Sequence, residues 1–108
     1  MIKRRKLSEF TVDYHTRLIE ELKDPKLATA YLQVAIDEYL EDGNKKFLLL
    51  ALRNLAEAHG GITTIAKKTK LSRQSLYKTL SARGNPRLDT LGLLIKALGF
   101  HLSVEAVQ

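Results

Sequence analysis

A chain of 108 residues with 44% hydrophobic and 28% charged side chains is sized for one domain with a core of its own and a well-solvated surface. It has no cysteine, which excludes disulfides, thiol catalysis and zinc held by thiolates, and no apolar run long enough to span a membrane. The net charge of +6 is unevenly spread: residues 1–59 hold ten Lys/Arg against ten Asp/Glu, whereas residues 60–108 hold eight against Asp89 and Glu105 alone.

Residues 1–12 show no period and read as a flexible arm, with 13–108 as a single helical domain. The run Lys3-Arg4-Arg5-Lys6 is followed by Leu7-Ser8-Glu9-Phe10 rather than by an apolar stretch, so no signal peptide is expected and a cytoplasmic protein fits. That run reads as a solvated tail rather than an arm entering a DNA minor groove. Asp13 is a candidate cap for a short helix reaching about residue 23, with Leu18 and Leu22 one turn apart. Asp24-Pro25 is a stronger start signal, an N-cap followed by proline at the first helical position. After it, Ala28, Leu32, Ala35, Ile36, Tyr39 and Leu40 form one wide apolar stripe, and Gly43 is the natural stop. Asn44 can cap the next helix, which carries Leu48, Leu52 and Leu55 on one face, with Phe47 and Ala51 beside them, until His59-Gly60-Gly61 breaks it. Three short helices are then expected over about 63–69, 73–80 and 90–98, with Gly99 ending the last. The tail from His101 to Val107 alternates polar and apolar residues, which predicts a short strand with Leu102, Val104 and Ala106 on one side. The expected architecture is thus all-α, a compact bundle of about five to six helices with a C-terminal strand.

The spacing over 61–81 predicts a helix-turn-helix. Two short helices crossing steeply need a small residue where they meet, and Ala66 supplies it. Leu71, Leu76 and Leu80 fill the space beneath, Ile62 and Ile65 face the same core, and Ser72 caps the second helix. Arg73, Gln74, Ser75 and Lys78 are left off the core face. From Ile62 to Leu88 there are seven basic residues (Lys67, Lys68, Lys70, Arg73, Lys78, Arg83 and Arg87) and no acid, a one-signed field that attracts a polyanion. The major groove of double-stranded DNA admits one α-helix, whose N-terminal residues reach the base edges. Arg73 can bond guanine bidentately and Gln74 adenine, with Ser75 and Lys78 beside them; a phosphate contact or a salt bridge is the other reading of Arg73. The N-terminus that Ser72 caps also favours a phosphate. Lys67, Lys68 and Lys70 suit phosphates and would set the docking register. Tyr77 reads first as packing, with its hydroxyl in reach of a phosphate. Asn85 and Arg87, with Arg83, lie in the loop after the recognition helix, either on backbone phosphates or in an ordinary Gly-Asn-Pro turn.

Ile65-Ala66, Leu71-Ser72-Arg73, Ser75-Leu76-Tyr77, Gly84-Asn85-Pro86, Leu88, Thr90-Leu91 and Ala97-Leu98-Gly99 resemble the XRE, or phage-repressor-like, helix-turn-helix superfamily. Asp37-Glu38-Tyr39 followed by 47–52 is similar to its addiction-module antidote branch, antitoxins encoded beside a small RelE-like ribonuclease toxin. The resemblance spans roughly residues 13–104 and implies a bundle of about five helices, operator binding as a dimer and repression of the protein's own operon. The sequence departs from it in two places. Lys70 stands where the superfamily often has glycine, so a positive φ there would carry strain. Thr63 or Thr64 stands where a glutamine commonly begins the first motif helix.

No residue supports an enzyme. His15, His59 and His101 lack a second ligand at helical spacing, so no metal or cofactor is expected. The serines 8, 72, 75, 81 and 103 have no adjacent base. Glu20-Glu21 and the cluster Asp37, Glu38, Glu41 and Asp42 read as solvated helix faces. The sequence therefore reads as a homodimeric DNA-binding regulator, an antitoxin acting on an inverted-repeat operator and on a RelE-like toxin. A stand-alone repressor and a protein-interaction module are the alternatives.

Overall fold

The computed structural model describes residues 7–107, with side chains from residue 12 onward, as six α-helices and, among the described residues, no strand. They are α1 (Leu7–Glu21), α2 (Pro25–Asp42), α3 (Lys45–Ala58), α4 (Gly61–Thr69), α5 (Arg73–Thr79) and α6 (Leu88–Ala97). α3 lies at the centre: α1 and α2 pack on it, and so does α4, which in turn carries α5 and α6.

Local chemistry sets most of the boundaries. Asp24 caps α2, its Oδ1 accepting from the Lys26 amide at 2.9 Å. Gly43 closes α2 at φ 74° and donates its N–H to the Tyr39 carbonyl. Asn44 caps α3 in the same manner as Asp24. The helix stripes then converge on one core containing Leu22, Leu32, Leu52, Leu55, Ile65, Leu76, Leu80, Leu94 and Leu98. One polar pair sits at its edge, where the buried Asn54 donates through Nδ2 to the Tyr31 hydroxyl at 2.9 Å. The Tyr31 ring meets Phe47 edge-on, with centroids 6.0 Å apart.

Three expectations are corrected. The C-terminal strand is absent: residues 101–107 have no regular structure and are exposed. Alternation makes a strand only beside another edge, and an all-helical chain offers none. α1 begins at Leu7, so Asp13 lies inside the helix rather than at its cap, and the arm's residues 1–6 lie outside the described residues. Around Asp13 the helix shows no apolar stripe because its neighbours face solvent; Val12 and Tyr14 are 62% and 68% exposed. Leu40 is 74% exposed, since it falls about 100° round α2 from the line of Leu32, Ala35 and Tyr39. Smaller shifts also occur: α4 and α6 each start two residues earlier than expected, and Leu49 is buried although no stripe marked it.

Candidate nucleic-acid interface

α4, a three-residue turn and α5 form the pair of short helices expected over 61–81. Ile65 of α4 and Leu76 of α5 are fully buried, and Ala66 and Leu71 pack against the same core. The turn is held by Thr69, whose hydroxyl donates to the Ile65 carbonyl at 2.8 Å and accepts the Leu71 amide at 3.3 Å. Lys70 ends α4 at φ 62°, the one non-glycine positive φ among the described residues. The left-handed conformation that glycine would take freely is therefore carried by a lysine, at the strain its Cβ imposes.

Ser72 opens α5. Its Oγ accepts the Ser75 amide at 3.0 Å and donates to Ser75 Oγ at 2.9 Å. Ser75 Oγ is thus held as an acceptor, and its own O–H remains available to donate outward. At about 100° per residue, Gln74 and Lys78 fall opposite the buried Leu76, with Ser75 and Tyr77 on either flank and Arg73 nearer the core edge. All of these side chains, and that of Ser72, are exposed. Tyr77 departs from the packing expected of it, being 58% exposed.

The seven cations from Lys67 to Arg87 are all exposed, and among the described residues none pairs with a carboxylate. They do not all share one face. Lys67 lies on the outer side of α4, away from Ile65, and Lys70 follows as the left-handed residue that ends the helix. Lys68 instead lines a hollow with Leu93, Lys96, Ala97 and Gly99, on the α6 side. After α5 the chain turns tightly through Ser81 and Gly84, whose N–H donates to the Ser81 carbonyl at 2.8 Å. A Cβ on Gly84 would lie 1.9 Å from the Thr79 carbonyl oxygen, so only glycine fits there. Asn85 is exposed and accepts Lys45 Nζ at 2.8 Å; Arg87 is exposed just before α6.

Two cations on α3 join this side of the molecule and were not among the expected site residues. Lys45 reaches Asn85, and Arg53 borders a hollow shared with Tyr77. Both belong to the charge-balanced half of the sequence, and contacts across 24 and 40 residues leave no local signal. Two of the three described histidines have partners within the fold, and His101 is exposed. His15 Nε2 lies 2.9 Å from Glu57 Oε2, and His59 bonds the Leu55 carbonyl and tilts against Phe100.

The fold and this surface define a small helical bundle with a short, cation-rich helix pair on one side. The family described as "Probable addiction module antidote protein" matches residues 12–106, and the chain belongs to it. An uncharacterized protein of Haemophilus influenzae is 33% identical over 93 residues, covering 82% of this chain and 95% of that one. No solved structure matches the chain. An antidote family carries an antitoxin role and implies a toxin of some kind as partner. Among the described residues no helix is long and apolar enough to cross a membrane.

Proposed function

We propose that this antidote is a cytoplasmic, sequence-specific repressor of its own operon that also neutralises a RelE-like ribonuclease toxin. The observation that carries the DNA-binding half is the outer face of α5. Gln74, Ser75 and Lys78 stand exposed above a buried Leu76, between cations that no acid offsets. In the groove, Arg73 and Gln74 read guanine and adenine edges, while Lys67, Lys70 and Arg87 hold phosphates. The resemblance to XRE-type helix-turn-helix proteins supports the same reading.

One seven-residue helix reads too few base pairs to select a site in a genome, so two copies bind together. Two-fold symmetry then calls for an inverted repeat with half-sites about 34–36 Å apart, or a multiple of that. The exposed Leu88 and Leu93 of α6 favour a contact between copies at that helix. The toxin docks on α2, in the charge-balanced half of the sequence. There α2 exposes Asp37, Glu38 and Glu41 next to Val34 and Leu40, a surface suited to a basic, RNA-binding partner. The experiment is a mobility shift with the promoter fragment of the protein's own operon at physiological salt, alongside co-purification with the neighbouring gene product. A shifted fragment and a co-purified toxin support the reading. An unshifted fragment leaves a protein-interaction module, and a shift without a partner leaves a stand-alone repressor.

A further inference from the structure

Beside α5 lies a hollow of about 300 Å³ lined by Arg53, Glu57, Gly61, Ile62, Tyr77 and Leu80. Its floor is apolar: Leu80 is buried, Ile62 partly so, and the Tyr77 ring forms one wall. A Cβ on Gly61 would meet nothing within 4 Å, so at that point the backbone borders open space. Arg53 is exposed and has no hydrogen-bond or carboxylate partner among the described residues. Glu57, one turn further along α3, does not pair with it; that carboxylate is taken by His15 of α1 at 2.9 Å.

We propose that this hollow holds a stretch of the sugar–phosphate backbone of duplex DNA, with Arg53 on a phosphate and Ile62 and the Tyr77 ring against the adjoining deoxyribose. The proposal rests on the DNA-binding reading and adds a contact to it from α3, outside the helix pair. Charge and continuity choose the occupant. A guanidinium without a partner beside an apolar floor matches an anion on an apolar stem, and a phosphodiester with its sugar is such a group. The hollow also adjoins the proposed DNA face, because Tyr77 is the residue next to Lys78 on α5. Lys67 and Lys70 hold the backbone from the far end of α4, so Arg53 gives α5 a second line of phosphate contact across the groove. Glu57 acts against this contact, so its neutralisation strengthens the contact rather than weakening it.

A phosphate contact is independent of sequence, so the probe is a fluorescein-labelled duplex of arbitrary sequence, about 30 base pairs long, titrated by anisotropy between about 50 and 200 mM salt. R53Q is expected to bind about tenfold more weakly at the lowest salt and to flatten the plot of log affinity against log salt by about one unit. R53K should keep the wild-type slope, and E57Q should bind more tightly than wild type. Thermal midpoints close to wild type for R53Q would show that the loss is not one of folding. R53Q with an unchanged slope, while K67A flattens it, would overturn the proposal and leave the DNA-binding reading standing. A wild-type protein that binds no duplex at any salt would overturn both.

Discussion

Lys70 is the residue where conformation and charge pull apart. At φ 62° it occupies the backbone region that costs a side chain roughly 1–2 kcal/mol and glycine almost nothing. Lys70→Gly should therefore raise folding stability by about 1 kcal/mol in a urea melt, while DNA affinity falls through the lost cation. A loss of stability would mean that the lysine stem makes packing contacts that offset its strain. Some of this detail was legible in the sequence and some was not. Ser72, Asp24 and Asn44 cap helices because a short oxygen-bearing side chain and the amides it accepts lie within three residues, inside the reach of a local pattern. Lys45 on Asn85 and Arg53 beside Tyr77 belong to pairs distant along the chain, and charge counting by segment assigned both cations to the neutral half. Leu40 belongs to the apolar stripe of α2 in sequence but lies beyond the face that α3 covers.

Helices were legible where an apolar stripe met a strong stop, as in α2 and α3. They were less so where packing decides the outcome. The stretch of α1 around Val12 and Tyr14 is exposed and shows no apolar stripe, and the C-terminal alternation has no neighbouring edge to pair with. On α5, the buried face and the proposed recognition face are opposite. Leu76→Ala empties a fully buried position and should lower stability by roughly 2–5 kcal/mol, weakening binding to every DNA in proportion to unfolding. Gln74→Ala lies on the exposed face. It should leave the melt unchanged and cost roughly 1–3 kcal/mol on the operator alone. Denaturation curves paired with anisotropy on operator and arbitrary duplex separate the two. Equal losses for Gln74→Ala on both duplexes would reduce that residue to a phosphate neighbour.

At the scale of the whole molecule the charge is divided. The helices α4–α6 carry the positive excess, while α2, packed on the central α3, exposes Asp37, Glu38, Glu41 and Asp42. If the two halves serve two partners, reversing Asp37, Glu38 and Glu41 to lysine should abolish neutralisation of the toxin in a growth assay and leave promoter binding within a few-fold of wild type. Neutralisation that survives those changes would move the toxin to another surface. The central claim is that α5 reads DNA sequence, and the most direct measurement is the ratio of affinities for the protein's own promoter fragment and for a shuffled fragment of the same length at physiological salt. The account predicts a preference of about a thousandfold or more, lost on substituting Arg73 and Gln74 together by alanine while the salt dependence persists. Equal affinity of the wild-type protein for both fragments would contradict it.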